Sequence, residues 1–358
     1  MNTSKGGDTI AGRSGRVLIT GANGFIGSNL CRWFLERRYE VIALVRRSAN
    51  LHFLEGLPVR MVRADLADAE DTDTAAAELA DPLDFVIHAA SLAAESMTWR
   101  DAQRGIVDTT TNLLRLLESH RAGLKRFIYI STALVLGHRS TSISEDRPGR
   151  PARGNMSYVR GKRMAEAILQ REHRERGLPL VVLRPSDVLG PNDRTSSLRL
   201  LGEIEKGWPS IVGSGRHVMS FCYVDNLCTA CELACQMRGR DGAAYTVTNG
   251  QDLTWRKFMG SLRERLGRPQ RLFVPFPAAY ALAGSMQVVH ALIPAVKLPL
   301  ASIYPVAKLG RDTSYDISRT RDELGYQPVQ DVERQVDAIV QWYRAEKAAG
   351  QVDALRRR

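Results

Sequence analysis

The sequence predicts an α/β fold, in which a doubly wound parallel sheet is followed by a smaller, less regular C-terminal part. Short β-branched runs alternate with amphipathic stretches over the first half of the chain, as is typical of a parallel sheet covered by helices. The apolar runs lack the period-two pattern of strands that face water on one side. The 358 residues, 44% of them hydrophobic, are enough for one large core or two interlocked ones.

The predicted elements alternate along the first half of the chain. Strands are predicted at 16–20, 40–45, 58–66, 85–90, 126–132 and 180–186. Helices are predicted at 28–38, 70–80, 103–120 and 157–177. From about residue 190 prolines and glycines multiply and the alternation becomes irregular, and a last helix is predicted around 331–347.

These elements divide the chain into two domains with short flanking segments. Residues 16–189 form the predicted sheet domain, and 190–350 a smaller domain that covers a ligand at the carboxyl ends of the strands. Within the second part, 218–237 is expected to pack back on the sheet domain. The polar, glycine-rich residues 1–15 are expected to be a flexible leader, and the basic residues 351–358 a frayed tail.

The net charge of +11 raises the question of a nucleic-acid partner. The basic residues are scattered as pairs and are not gathered on one helix or interleaved with aromatic residues. We therefore expect no nucleic-acid binding and interpret the excess as a solvated surface that favours anionic ligands. The amino-terminal segment lacks the apolar stretch of a secretory signal, so a cytoplasmic protein is expected. The sequence does not decide whether the protein forms a homodimer.

Three of the five cysteines, Cys228, Cys231 and Cys235, are spaced in a way that suggests a metal cluster. On a helix this i, i+3, i+7 spacing puts the three side chains on one face. Nearby histidines or further paired cysteines, which a metal site would need, are missing. Free cysteine behaves as a small hydrophobe, so we predict a core-facing helix and no metal.

Residues 17–27 read VLITGANGFIG and place Gly21, Gly24 and Gly27 between the first strand and the first helix. In this position one glycine permits the turn, another lets the backbone approach a pyrophosphate, and the third lets the helix pack closely on the strand. The helix N-terminus adds unpaired N–H groups and the positive end of its dipole. The loop therefore predicts a dinucleotide site and a sheet domain of the Rossmann type.

The spacing Gly-x-x-Gly-x-x-Gly resembles the extended branch of the short-chain dehydrogenase/reductase superfamily, which includes the NAD-dependent epimerases and dehydratases. Further motifs of that branch follow in order over nearly the whole chain. They are ADL (64–66), HAAS (88–91), YISTALVLG (129–137), YVRGK (158–162), LRPSDVLGP (183–191), YVDN (223–226) and DELGYQP (322–328). In overall layout the chain is similar to the 3β-hydroxysteroid dehydrogenase-like and dihydroflavonol reductase-like members.

The resemblance implies a nicotinamide coenzyme and assigns residues to it, with Asp65 meeting the adenine. The implied coenzyme contacts are Gly21, Asn23, Gly24, Phe25, Ile26, Gly27, Arg46, Arg47, Asp65, Leu66, Ala89, Ala90, Tyr158, Lys162, Pro185 and Val188.

The end of the second strand bears on the choice between NAD(H) and NADP(H). An NAD enzyme needs a carboxylate there for the ribose hydroxyls, whereas the 2′-phosphate of NADP needs a cation. The matching residue is Val45, followed by Arg46 and Arg47, whose guanidinium groups suit a phosphate. We therefore favour NADP(H), with Arg46 as the leading contact. The alternatives are that both arginines simply face solvent and that NAD(H) is used.

Tyr158 and Lys162 are four residues apart on a predicted helix and therefore share a face. A tyrosine hydroxyl is a poor base at neutral pH, and a neighbouring ammonium favours its phenolate. The resemblance makes Tyr158 the proton donor or acceptor in alcohol–ketone interconversion, and Lys162 its tuner and a ribose contact. In the family the third catalytic group is a hydroxyl five residues before the turn glycine, here Gly137. This count selects Thr132 over Ser131.

The helix before the catalytic strand departs from the family pattern. The family commonly carries Asn-Val-x-Gly-Thr there, whereas the matching stretch is IVDTT (106–110), with Ile106 in place of the asparagine. Asn112 lies further along, in a register that suggests helix packing. We therefore assign no water-relay asparagine to the site.

The substrate class has to be chosen among several members of the branch. A dehydratase is disfavoured, because Thr132-Ala133-Leu134 stands where such enzymes carry Thr-Asp-Glu. A nucleotide-sugar epimerase with retained NAD(P) would need cations for a diphosphate. Candidates for that role are Arg184, Arg194, Arg199 and Arg216.

Residues 273–309 favour a different substrate. Their uncharged run, from Phe273 to Val296, suggests an apolar lid over the substrate or a segment lying at a membrane surface. We therefore predict an NADP(H)-dependent oxidoreductase that interconverts a hydroxyl and a ketone on a bulky, largely apolar, steroid-like or polycyclic molecule. The epimerase and a non-catalytic coenzyme sensor remain as alternatives.

Overall fold

The computed structural model describes residues 15–79, 82–92, 97–151, 156–207, 211–268, 273–292 and 310–356. Its strands are β1 (Arg16–Thr20), β2 (Glu40–Val45), β3 (Arg60–Arg63), β4 (Phe85–His88), β5 (Arg126–Ile130), β6 (Leu180–Pro185), β7 (Asp187–Leu189), β8 (Ile211–Val212), β9 (Val218–Tyr223), β10 (Ala243–Val247), β11 (Asp252–Thr254) and β12 (Phe273–Val274). Seven of them form one sheet in the order β10-β6-β5-β4-β1-β2-β3. All the pairings within it are parallel, so the predicted doubly wound parallel sheet is confirmed.

The described residues also form helices, on both faces of this sheet and in the C-terminal part. They are α1 (Phe25–Glu36), α2 (Ala69–Glu78), α3 (Trp99–Ala102), α4 (Thr109–Leu116), α5 (Met156–Arg176), α6 (Ser197–Glu205), α7 (Val224–Gln236), α8 (Trp255–Arg265), α9 (Phe276–Leu292), α10 (Ser318–Leu324), α11 (Val332–Ala348) and α12 (Val352–Arg356). One core lies between the sheet and the pair α1 and α7. A second core lies on the opposite face, under α2, α4 and α5.

The burial of β1 shows why the strands read as continuous apolar runs. Val17 and Ile19 belong to the core under α1 and α7, whereas Leu18 between them belongs to the opposite core. All three side chains are fully buried. Because successive side chains point to opposite faces and both faces are covered, no polar residue is required in alternate positions.

The segment 218–237 comprises β9 and α7, and α7 packs against α1, β5 and β6. Its cysteines Cys228, Cys231 and Cys235 are free and buried in the core that α7 shares with α1. Burial raises the pKa of the Cys228 and Cys231 thiols well above the ordinary value. These thiols therefore pack as small apolar groups.

A third core holds the C-terminal part together. It lies among α6, α8 and α11 and the three-stranded sheet β11-β9-β7, and it contains Leu201, Phe221, Phe258 and Ile339. Phe53, from the loop after β2, is buried in the same core. The two parts of the chain are therefore joined by this hydrophobic core, to which both contribute side chains.

Two predicted elements differ from the structure. The helix expected at 103–120 begins earlier, at Trp99, and contains a π-helical stretch, Gln103–Asp108. The expectation of a frayed tail at 351–358 is wrong for Val352–Arg356, which form α12, because Leu355 is buried in the third core with 2% of its surface exposed.

Most of the flexible leader that we expect at 1–15, and residues 293–309 of the apolar segment, lie outside the described residues. The described part of that segment includes α9, on which Tyr280 and Leu282 are 44% and 55% exposed. Within the described ranges, no helix has the length and apolar character needed to cross a membrane.

Candidate active site

The glycine turn brings β1, α1 and the loop after β4 into close contact. Gly21 has a left-handed backbone (φ +65°), and a Cβ there would lie 2.8 Å from Ala90 Cα. A Cβ on Gly27 would lie 2.7 Å from Ala22 Cα. Gly24 is the N-cap of α1, and the first turn of that helix carries no acidic side chain. The helix N-terminus is therefore left with its N–H groups and positive dipole end for an anion such as a pyrophosphate.

A chain of buried hydrogen bonds holds the loop after β4. Ala90 N–H donates to Thr20 Oγ1 (3.0 Å), which lies 2.8 Å from His88 Nδ1. On the other side of the ring, His88 Nε2 lies 3.1 Å from Thr110 Oγ1, whose own proton goes to Ile106 O (2.7 Å). Since the Thr110 proton is used in that bond, Nε2 must donate and Nδ1 must accept.

His88 is accordingly a neutral imidazole. Burial, with a smaller contribution from the charge of Lys162, lowers the pKa of His88 to about 3. The ring therefore serves to fix the loop that bears Ala90 and takes no part in proton exchange near neutral pH.

Two serine hydroxyls at the carboxyl edge of the sheet are buried and have no hydrogen-bond partner among the described residues. Ser91 follows Ala90, and Ser186 follows Pro185, the last residue of β6. An unpaired buried hydroxyl costs about 1–3 kcal/mol, so a polar ligand at this edge would remove a penalty. The edge fits the nicotinamide end of a dinucleotide in this respect. Other implied coenzyme contacts pack partly buried against the sheet core, namely Phe25, Ile26, Ala89 and Val188.

The loop after β3 is held by hydrogen bonds around Asp65 and Leu66. Asp65 Oδ1 accepts the N–H of Ala67 (3.0 Å). Leu66 is buried, and its carbonyl accepts from Asn112 Nδ2 (2.9 Å). Asn112 thus does more than pack its helix, because it holds the turn that carries Asp65.

The two arginines after β2 have different surroundings. Arg47 Nη2 and Nε lie 2.7 and 2.8 Å from Asp71 Oδ1. The other oxygen of Asp71 accepts the N–H of Asp65 (2.7 Å), and this bond, followed by the one from Arg47, lowers the pKa of Asp71. Arg46 is exposed, and its side chain makes no ion pair or hydrogen bond with the described part of the chain. Asn23 of the glycine turn bonds the carbonyl of Asn50 (3.2 Å) and so joins this loop to the turn.

Tyr158 and Lys162 lie on α5 beside the carboxyl end of β5. Lys162 is 3% exposed, and its Nζ donates to Ile130 O (2.7 Å). The same nitrogen lies 6.0 Å from the ring centroid of Tyr158 and 4.8 Å from that of Tyr129. Burial lowers the pKa of Lys162 to about 7, although the carboxylate of Glu166 acts in the opposite direction.

Ser131 and Thr132 point to different partners. Ser131 Oγ donates to Glu166 Oε1 (2.5 Å). Thr132 Oγ1 accepts a long hydrogen bond from Leu134 N–H (3.3 Å), and Thr132 lines a cleft. The cleft is lined by Thr132, Leu134, Ser186, Asp187, Met219, Ser220, Thr313 and Tyr315. The geometry therefore favours Thr132 as the hydroxyl that can reach a ligand.

The position at which the family carries asparagine is filled by an apolar contact. Ile106 is 1% exposed, and its Cδ1 lies 3.1 Å from where a Cβ on Gly161 would be. Gly161 precedes Lys162, so Ile106 packs α5 closely against the π-helical stretch. At this position the buried side chain of Ile106 thus makes an apolar contact between helices where the family carries a polar asparagine.

Sequence reasoning missed three side chains of this region. Glu166 is one helical turn beyond Lys162, and this i, i+4 spacing indicates that the two side chains share a face of the helix. Asp187 lies in the cleft wall, and its position within the motif LRPSDVLGP (183–191) is a weaker signal. The role of His88 follows only from contacts between distant strands.

Proteins of known activity are similar to this chain along most of its length. A 4-hydroxy-2-methyl-3-oxo-4-farnesyl-3,4-dihydroquinoline-1-oxide ketoreductase of Stigmatella aurantiaca is 29% identical over 315 residues, covering 87% of this chain and 91% of that protein. A 3-beta-hydroxysteroid dehydrogenase of Mycolicibacterium neoaurum is 27% identical over 352 residues, covering 94% of each. The crystal structure of UDP-glucuronic acid 4-epimerase from Bacillus cereus in complex with NAD has the same fold, with a TM-score of 0.71 at 22% identity over 93% of this chain and 98% of that one.

The family model of the NAD dependent epimerase/dehydratase family matches residues 17–248. This stretch is more than half of the chain and runs from β1 through β10, so it contains the glycine turn and the Tyr158–Lys162 pair. The relatives include named reductases and dehydrogenases. The chain is therefore an NAD(P)-dependent oxidoreductase of the extended short-chain type and belongs to the NAD-dependent epimerase/dehydratase family.

Proposed function

We propose that this enzyme uses NADP(H) to interconvert a hydroxyl and a ketone on a bulky, largely apolar molecule. The observation that carries the proposal is the position of Thr132, in the wall of a cleft whose described lining residues include no cation. Tyr158 and Lys162 lie next to the same strand end. The substrate oxygen would sit between the hydroxyls of Thr132 and Tyr158.

The roles of the three side chains follow from their chemistry. Tyr158 exchanges a proton with the substrate oxygen, and Thr132 orients that oxygen by a hydrogen bond. Lys162, in its protonated form, favours the phenolate of Tyr158 and holds the nicotinamide ribose. A bound nicotinamide coenzyme supplies or accepts the hydride at the substrate carbon. The glycine turn, the loop of Asp65 and Leu66, and the edge formed by Ala89, Ala90, Pro185 and Val188 would hold that coenzyme.

The preference for NADP(H) rests on Arg46. Its side chain is exposed and is not engaged by a carboxylate of the described chain, whereas Arg47 is paired with Asp71. A 2′-phosphate at this point would gain a charge-assisted contact from Arg46 without breaking an existing ion pair. Arg47 would remain at the side as a supporting charge.

The lining of the cleft supports an apolar ketone over a nucleotide sugar. Leu134, Met219 and Tyr315 provide apolar surface. No arginine or lysine lies among the described lining residues, so a diphosphate would lack a counter-charge there. Arg184, which sequence reasoning offered for a diphosphate, is instead bonded to Glu166 and Glu145. The names of the two relatives, a ketoreductase of a farnesylated dihydroquinoline oxide and a hydroxysteroid dehydrogenase, point in the same direction.

The epimerase remains the second candidate, because a UDP-glucuronic acid 4-epimerase has the same fold. The test is to follow NADPH absorbance with a panel of polycyclic and long-chain ketones, beside UDP-sugars. We expect turnover with ketones that increases with apolar surface, since burial contributes roughly 25 cal/mol per Å². Tightly retained coenzyme, and competition by UDP-sugars alone, would instead identify an epimerase.

The exposed apolar residues of α9 suggest a role for 273–309 in the same function. Tyr280 and Leu282 present apolar surface that could cover the substrate or lie at a bilayer. We propose the substrate-covering role, with peripheral membrane contact as its alternative. Co-sedimentation with anionic liposomes separates the two, because membrane contact through this basic protein should bind liposomes and weaken as salt rises.

A further inference from the structure

A charged network lies buried one helical turn beyond the catalytic lysine. Glu166, on α5, is 8% exposed. Its Oε1 accepts from Ser131 Oγ (2.5 Å) and from Arg184 Nε (3.1 Å), and its Oε2 accepts from Arg184 Nη2 (2.7 Å). A buried carboxylate is costly unless it is fully paired, and here both oxygens are used.

The network fixes α5 against the end of β5. Lys162 bonds the carbonyl of Ile130, and Glu166, four residues later, bonds the hydroxyl of Ser131. Ile130, the last residue of β5, and Ser131, which follows it, are thus held by two consecutive turns of the helix. The next residue is Thr132, so the same contacts set the distance between Thr132 and Tyr158.

The network also reaches the loop that follows the catalytic turn. The third donor group of Arg184, Nη1, bonds Glu145 Oε1 (2.7 Å). Arg184 therefore joins this loop, β6 and α5. Glu145 is partly exposed, and its bond to Nη1 leaves Nε and Nη2 of Arg184 on Glu166.

Among the described residues, the other groups near the Lys162 ammonium carry no negative charge while Tyr158 is protonated. On β5 the neighbour is Tyr129, whose pKa burial raises well above its ordinary value, and on β4 it is the neutral His88. Tyr158 is on the same helix. The carboxylate of Glu166 is therefore the described group that opposes loss of the Lys162 proton. Arg184, on β6, donates hydrogen bonds to both oxygens of this carboxylate.

Resting on the proposed function, we propose that Glu166, held by Arg184, is a positioning residue that keeps Lys162 protonated and aligned for proton exchange at Tyr158. Glu166 does not touch the reacting atoms. It acts through Lys162 in two ways. Its negative charge favours the protonated ammonium, and its bond to Ser131, together with the Lys162 bond to Ile130, holds α5 against the end of β5.

The test is the Glu166→Gln variant, with Lys162 observed by NMR of lysine labelled at Cε in the coenzyme-free protein. Lys162→Met assigns the resonance. We expect the pKa of Lys162, about 7 in the unmodified protein, to fall by about one pH unit when the carboxylate is removed. A loosened site would admit water and raise that pKa toward its ordinary value. A rise, or no change, would therefore overturn the proposal.

The matched control is Glu172→Gln on the same helix. Glu172 is also partly buried and paired with an arginine, since Arg121 Nη2 lies 2.7 Å from its Oε2. This variant should lose stability and leave the Lys162 resonance unmoved. If Glu166→Gln fails to fold, Glu166→Asp should shift the Lys162 pKa in the same downward direction by about half as much, and an unchanged value there would equally contradict us.

A kinetic readout separates this proposal from the proposed function. With an alcohol substrate and NADP⁺, the rise of kcat/KM with pH should move to higher pH in Glu166→Gln, and the rate at pH 7 should fall about tenfold. If the unmodified protein turns over no alcohol or ketone, the proposed function fails. The NMR titration still decides the role of Glu166 in that case.

Discussion

At the proposed adenosine end of the coenzyme site the charged side chains are more exposed than at the proposed catalytic end. The Arg47–Asp71 pair has side chains that are 55% and 19% exposed, and the Arg184–Glu166 pair has side chains that are 14% and 11% exposed. Exposed pairs contribute about 0–1 kcal/mol, while removing one partner of a buried pair costs about 3–5 kcal/mol. Coenzyme preference can therefore change at the first end with little effect on folding. At the second end chemistry and stability change together.

The largest effect should come from the catalytic end, with Tyr158→Phe. The change removes only the proton-carrying oxygen, so hydride transfer should fall on the order of 10²–10⁴-fold. Coenzyme affinity, measured by fluorescence titration, should stay nearly the same, because the adenosine end is intact. Turnover close to that of the unmodified protein would remove Tyr158 from the mechanism.

The next effect compares the two neighbouring hydroxyls. Thr132→Ala should lower kcat by about 10- to 1000-fold, because it removes a hydrogen bond to the substrate oxygen in a dry site. Ser131→Ala should cost less in kcat, since Ser131 bonds Glu166. Steady-state kinetics of both variants is the measurement. The reverse order would mean that Ser131 is the catalytic hydroxyl.

At the adenosine end the effect should be smaller and confined to one coenzyme. Arg46→Ala should raise KM for NADPH by about tenfold, the scale of one charge-assisted hydrogen bond, and leave KM for NADH unchanged. Arg47→Ala is the matched control, and it should have the weaker effect because Asp71 already holds that side chain. Thermal melting should be nearly unaffected in both. A strong preference of the unmodified enzyme for NAD(H) would exclude this role of Arg46.

The smallest effect on activity should come from His88→Gln. This change should instead alter how the free energy of unfolding depends on pH. In the unfolded chain this histidine takes up a proton near pH 6.5, whereas the folded protein resists protonation until about pH 3. Its contribution to the free energy of unfolding is therefore complete above pH 6.5 and decreases as the pH falls toward 3. His88→Gln should flatten this dependence in urea denaturation measured from pH 4 to 8. An identical slope in both proteins would show that another group is responsible.

The parts of the site that could be predicted from the sequence are those carried by short spacings. The three glycines and the Tyr158–Lys162 pair depend on neighbours within one turn or one helix face, and the family order of motifs added Asp65, Pro185 and Val188. These residues lie where the strand order brings the carboxyl ends together. Their roles in binding and catalysis stay predictions.

The features that could not be predicted depend on partners far apart in the chain. Arg184 is paired with Glu166, 18 residues away, and with Glu145, 39 residues away. From the sequence it was indistinguishable from a free cation suited to a diphosphate. The π-helical stretch at Gln103–Asp108 was not predicted either, and it is accompanied by the close contact of Ile106 with Gly161 on α5, which is distant in the chain.

The loop after β2 connects the sheet domain to the C-terminal part, so the two cannot be separated or exchanged without disturbing it. Phe53 lies in the core of the C-terminal part, and His52 Nε2 lies 2.9 Å from Glu346 on α11. A fragment cut at residue 189 would uncover Phe53, and a chimera that exchanged the C-terminal part for that of a relative would have to carry residues 51–54 with it. The C-terminal part is therefore not freely interchangeable on the sheet domain, and an exchange should succeed only where both sides of this contact are transferred together.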